Sequence, residues 1–218
     1  MTHHAPRRRR LTPPPRRRVH CAVHSQAHLV ISLVCLCLSL FLLVIALSTT
    51  YWLKTYSFHT GLFQECTDRS VGALSNPVPN AAPEGQCQPP ARNTLFVRTA
   101  AVLIIVAAAA TLFAIFVNTA GLRSNDLHRK YVFYKAATWL SLLSVLAELV
   151  ALVGFPICFY LSIHSYGLRN WEFDWSYGVA WGALLFVFGA LLLLICDKEH
   201  EEVYYKEKTI YNPPNEFA

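Results

Sequence analysis

The sequence predicts an all-α membrane protein with four spans and one sizeable outer segment of short strands. Three observations carry this. Of 218 residues, 54% are hydrophobic and 15% charged, where a soluble domain has about 25% charged residues. A soluble fold of this size cannot hide that much apolar surface. The apolar residues also fall in four blocks instead of being spread along the chain. Between the first two blocks lies a long polar segment holding aromatic and threonine-rich stretches and two cysteines.

The blocks set the spans. The first covers about 28–50, with the run LVISLVCLCLSLFLLVIAL, long enough to cross about 30 Å of hydrocarbon at about 1.5 Å per residue. The second covers about 97–121, the third about 136–163 and the fourth about 177–196. Each is expected to be helical, because a segment in lipid must satisfy its own backbone hydrogen bonds.

Orientation follows from lysine and arginine beside the spans. Arg7 to Arg10 and Arg16 to Arg18 precede the first span, Arg123, Arg129, Lys130 and Lys135 lie between the second and third, and Lys198, Lys206 and Lys208 follow the fourth. The link between spans three and four has Arg169 against Glu172 and Asp174. Both termini are therefore expected in the cytoplasm, with outer loops at 51–96 and 164–176.

The net charge of +6 belongs to one short arm. Residues 1–26 carry seven arginines and no acid, so the remainder sums to about −1. This distribution gives no support for nucleic-acid binding. The arm, 1–27, is proline- and arginine-rich and is expected to be disordered. It serves as a topology signal or binds anionic lipids at the membrane surface, where each basic residue contributes about 1 kcal/mol. The tail, 197–218, is acidic and then tyrosine-rich. Its last residues, Glu216, Phe217 and Ala218, loosely fit a ligand for PDZ domains, in which backbone amides capture the terminal carboxylate. Its tyrosines are candidates for phosphorylation.

In the first outer loop, residues 51–66 read as two short strands punctuated by Gly61. A stretch of turn formers follows, expected to be irregular. Of seven cysteines, Cys66 and Cys87 lie in a long polar segment, and an oxidising compartment favours their pairing. That bond would close a loop of about 20 residues, worth about 3 kcal/mol in the chain-entropy picture.

Trp52, then Gly61-Leu62-Phe63, then Cys66 and Cys87, then Arg98 at the start of span two resemble the W…GLW…C…C pattern of the claudin and epithelial-membrane-protein superfamily. Phe63 stands where that pattern has Trp, and the cysteine spacing is longer. Trp175, Tyr177, Gly178, Ala180, Trp181 and Gly182, with the Phe155-Pro156-Ile157 step, resemble the branch of transmembrane protein 47 and PERP. The resemblance implies a left-handed, claudin-like four-helix bundle capped by a small extracellular antiparallel β-sheet. It implies a plasma-membrane protein of cell–cell junctions that organises adhesion and linkage to the cytoskeleton, without catalysis. The implied partners are junction proteins in cis or trans, cytoplasmic scaffold proteins and further copies of the chain. A paracellular barrier of the occluding-junction type, or an auxiliary subunit of a channel or receptor, are the alternatives. The outer loop's three basic and three acidic residues, Lys54, Arg69, Arg92 and Glu65, Asp68, Glu84, favour sealing over ion selection.

Trp52 and the Gly61–Phe63 turn are ordinary surface aromatics or, in the family reading, seat the sheet on the membrane rim. Arg98 either snorkels to the headgroups or, by resemblance, braces the sheet from below. Glu148, mid-span, is a functional candidate or a buried hydrogen-bonding group. Gly178-x-x-x-Gly182, with Gly189, suggests close helix approach within the bundle or between copies. Pro156 is expected to kink span three. The nine histidines form no metal-ligand pattern, and neither a catalytic nor a cofactor-binding motif occurs.

Overall fold

The computed structural model describes residues 15–55, 58–69, 82–90, 95–124, 127–162 and 171–211. Four helices dominate: α1 (Pro15–Ser48), α2 (Leu95–Arg123), α3 (Leu127–Ser162) and α4 (Trp175–Tyr211). Within them, Ala27–Ser48, Leu95–Arg123, Arg129–Leu161 and Trp175–Cys196 are long and apolar enough to cross a membrane. The helices form a ring in which α1 packs chiefly on α4 and α2 on α3, with α1·α2 and α3·α4 contacts closing it. The buried face of α4 runs through Ala180, Ala183, Leu184, Val187, Ala190, Leu191 and Leu194, an i, i+3, i+4, i+7 stripe. Large apolar side chains such as Phe113, Trp139 and Leu185 point outward, as they do where the surrounding solvent is hydrocarbon.

Two helices outrun the spans. The 1–27 arm is expected to be disordered, yet α1 starts at Pro15, and α4 carries the tail's backbone to Tyr211. The physical reason is cooperativity: the span supplies the nucleus, each added residue then gains a bond, and proline at the first helical position loses no usable donor. Residues 1–14 and 212–218, with the PDZ-type terminus, lie outside the described residues. The α2–α3 link is also shorter than expected. α3 begins at Leu127, so Arg129, Lys130 and Lys135 ride on its first turns.

At one end of the bundle sits a five-stranded antiparallel sheet. Its strands are β1 (Leu53–Thr55), β2 (Phe58–Thr60), β3 (Glu65–Thr67), β4 (Cys87–Gln88) and β5 (Glu172–Phe173), in the order β4-β3-β2-β1-β5. Residues 51–66 read as two strands; β3 is a third. β5 comes from the α3–α4 loop and pairs with β1 at Leu53↔Phe173 and Lys54↔Glu172. The sheet therefore ties both loops together. Alternation along the strands puts Leu53, Phe58 and Phe173 on one face, toward the bundle, and Lys54, His59, Cys66 and Glu172 on the other.

Candidate functional site

The sheet is fixed to the bundle through aromatic side chains. Trp52, fully buried, donates its indole N–H to the Ala46 carbonyl in the last turn of α1 at 2.7 Å. Its ring meets Phe155 and Tyr177 edge-on, at centroid distances of 5.3 and 5.8 Å. Phe155 also contacts Phe96 and Phe173, and Phe159 contacts Trp171 and Phe173. Such edge-to-face pairs each add about 0.5–1.5 kcal/mol beyond area burial. Polar contacts close the same seam. Asp174 and Ser176 donate backbone N–H groups to the carbonyls of Trp52 and Tyr51, and the hydroxyls of Thr49 and Ser176 lie 2.6 Å apart.

The turn between β2 and β3 lies against the end of α1. A Cβ on Gly61 would come within 2.5 Å of the Thr49 carbonyl oxygen and 2.7 Å of the Thr50 Cα, so a hydrogen is all this site accommodates. Leu62 is buried, whereas Phe63 is 49% exposed. The expected seating role thus divides: Trp52 and Leu62 pack inward, and Phe63 stands open at the rim.

Pro156 has no N–H for the carbonyl of Leu152, its i−4 partner. The Tyr177 hydroxyl, from α4, donates to that carbonyl at 2.8 Å. The helix interruption in α3 is thereby closed by the neighbouring helix, the arrangement a low-dielectric surrounding demands.

On the far face, Cys66 and Cys87 are bonded and stand directly opposite across β3 and β4. His59 is buried there, stacked on Tyr51 at 4.2 Å, with Nδ1 3.6 Å from the Asp68 carboxylate. Burial holds its pKa below the ordinary histidine value, with Lys54 acting in the same direction and Asp68 and Asp174 opposing it. Among the described residues, no group of three or more His, Cys, Asp or Glu is placed to hold a metal ion.

The PMP-22/EMP/MP20/Claudin family model matches residues 25–192. The chain belongs to that family. It is a multi-pass membrane protein with the four-span, sheet-capped architecture, and in this member of the PMP-22/EMP/MP20/Claudin family the matched stretch includes both sheet-forming loops, the first three apolar spans and most of the fourth.

Other predicted site residues fall as follows. Arg98 is exposed on the first turns of α2. Gly178 and Gly189 have nothing within 4 Å of a built Cβ, and Gly182 meets only Leu42 at 3.7 Å. Close approach inside the bundle through these glycines is therefore not observed. They lie off the buried stripe of α4, whose small residues are alanines. Trp181 is half-buried and edge-on to Tyr177, and Trp175 is exposed beside Tyr51. Glu148 is buried in α3 and accepts a bond from Ser144. Leu152, Ser176, His59 and Phe173 escaped the sequence reading. The Tyr177–Leu152 pair carries a signal, since proline orphans a known acceptor, but the donor comes from another helix.

Proposed function

We propose that the protein is a non-enzymatic tetraspan of cell–cell junctions at the plasma membrane, organising adhesion and the linkage of junctions to the cytoskeleton. The observation that carries this reading is the outer sheet. Both loops are tied into it, a disulfide crosses it, and the Trp52 seam fixes it to the bundle. A small surface held that firmly is suited to contact with neighbouring molecules, because little conformational entropy is lost on binding. Arg123, Arg129, Lys130 and Lys135 lie at the end opposite the sheet, which supports an extracellular sheet and cytoplasmic termini. The tail then faces scaffold proteins. Within the family, the Trp175–Gly182 stretch favours the branch of transmembrane protein 47 and PERP.

The test is imaging of the endogenous protein in a polarised epithelium against junction markers, combined with cell-aggregation assays after depletion. Lateral enrichment and weakened cohesion are expected. A correctly folded protein spread through internal membranes, or cohesion unchanged on depletion, refutes the proposal. A change in transepithelial resistance with normal cohesion would instead identify a barrier component.

A further inference from the structure

Two aromatic rings stand together at the sheet end of the bundle, outside the seam built on Trp52. Tyr51 follows the end of α1, and Trp175 opens α4. Their ring centroids lie 6.0 Å apart, with planes 31° from parallel. The backbone fixes both. Ser176 donates its N–H to the Tyr51 carbonyl, Asp174 donates to that of Trp52, and the Thr49 and Ser176 hydroxyls meet at 2.6 Å. One face of the Tyr51 ring is covered by His59, stacked at 4.2 Å and 7° from parallel. Trp175, by contrast, is 48% exposed, and the packing of the sheet does not account for an indole left open there.

Carboxylates flank the pair. Asp174 Oδ1 accepts the Trp175 backbone N–H at 2.7 Å, which holds its charge next to the indole. Glu172 is exposed two residues earlier, on β5. Lys54, on the same face of the sheet, stands opposite Glu172 across β1 and β5, so one acid matches it. Aromatic faces beside negative charge attract cations, and quaternary ammonium groups suit them best.

Depth selects the cation. The spans Ala27–Ser48 and Trp175–Cys196 are 22 residues each, about 33 Å at about 1.5 Å per residue, against about 30 Å of hydrocarbon. Tyr51 lies three residues beyond the first span and Trp175 at the limit of the second. Both rings therefore stand in the headgroup layer, where tryptophan and tyrosine concentrate. The cations of that layer are the ammonium groups of zwitterionic lipids. Ethanolamine carries N–H donors that water and phosphate satisfy. Choline carries none, and its methyl groups and its charge are both served by an aromatic face.

We propose that Tyr51 and Trp175, with Asp174 and Glu172, form a headgroup site for a choline lipid at the sheet end of α1 and α4. The quaternary ammonium rests against the open indole and the Tyr51 ring, within the roughly 6 Å of a centroid at which cation–π attraction operates. The carboxylates supply the opposing charge. His59 behind Tyr51 and the tied backbone hold the rings in place, so little conformational freedom is lost on binding. The site holds for either orientation of the chain, and so stands apart from the junctional role.

Native mass spectrometry of the full chain tests this, after release from nanodiscs of equal phosphatidylcholine, phosphatidylethanolamine and phosphatidylglycerol. Phosphatidylcholine is expected to be retained over phosphatidylethanolamine by about fivefold, the size of one exposed cation–π contact. Trp175→Leu should abolish the preference, and Trp175→Phe should keep part of it through a weaker π face. Tyr160→Leu removes another exposed aromatic, near the same end of α3, and should leave the ratio unchanged. Equal retention of the three lipids overturns the proposal. So does a ratio lowered as much by Tyr160→Leu as by Trp175→Leu, because that describes a general aromatic belt. Preference for phosphatidylethanolamine overturns it in favour of selection by carboxylates alone, and preference for phosphatidylglycerol in favour of basic groups. Tyr51→Leu should also lose the preference. Should that variant fail to fold, Trp175→Leu, at an exposed position, decides the matter.

Discussion

The hydroxyl of Tyr177 on α4 donates to the carbonyl of Leu152 on α3 at 2.8 Å, the acceptor that Pro156 leaves unserved in its own helix. Two residues far apart in sequence thus form one device. Tyr177→Phe should cost about 1–3 kcal/mol by stranding a buried carbonyl. In a Pro156→Ala background, alanine restores the helical N–H, and the same change should cost close to nothing. A double-mutant cycle on thermal unfolding in detergent measures the coupling. Equal penalties in both backgrounds would show that the hydroxyl does not serve that carbonyl.

Glycines at two places should respond in opposite senses. At Gly61 an added methyl meets backbone atoms of Thr49 and Thr50, which cannot rotate aside. Gly61→Ala should therefore destabilise by about 1–3 kcal/mol and reduce delivery to the cell surface. At Gly178, early in α4, nothing lies within 4 Å, so Gly178→Ala should be neutral or stabilise by about 0.5–1 kcal/mol through helix propensity. Melting temperatures of the two variants, side by side, decide the point. Loss of stability at Gly178 would mean that another chain packs there.

The contrast shows which parts of the fold were legible. Spans could be read because lipid imposes an uninterrupted apolar run on each helix, a constraint local to the chain. Cys66 and Cys87 were legible because compartment narrows the pairing. β5 was not, since two residues carry no periodicity and their strand state exists only through pairing with β1. The glycine pattern in α4 suggested close packing, but which face a span buries depends on neighbours that a single sequence does not name. The meeting of the Thr111 and Ser144 hydroxyls across α2 and α3, 2.7 Å apart, was hidden for a related reason. Isolated serines are unremarkable in a span until register aligns them across helices.

Removing the disulfide should loosen the sheet and spare the bundle. Cys66 and Cys87 close a loop with a sequence separation of 21, for which chain entropy gives about 3 kcal/mol. Cys66→Ser with Cys87→Ser should leave helical circular dichroism intact while raising protease cleavage and hydrogen exchange around β3 and β4. Unchanged exchange in those strands would mean that the aromatic seam alone holds the sheet.

Acid should weaken the sheet through His59. Its pKa is held down chiefly by burial, against the opposing pull of the Asp68 carboxylate 3.6 Å away. The unfolded chain therefore takes up a proton at a higher pH than the folded chain does. Wherever the unfolded state binds more protons, stability rises with pH. The contribution of neutral His59 is thus fully present above the ordinary histidine value of about 6.5 and is lost progressively as pH falls below it. Protonation also places a charge under Tyr51, whose ring stacks on the imidazole and lies beside Trp175 at the start of α4. Hydrogen exchange of β1 and β2 should accelerate between neutral pH and about pH 5, after correction for the intrinsic pH dependence of exchange. In His59→Gln that added sensitivity should vanish, because glutamine keeps a polar side chain but does not titrate. An acid response equal in the variant and the wild type would assign the effect to the surrounding carboxylates, Asp68 and Asp174, instead of to the histidine.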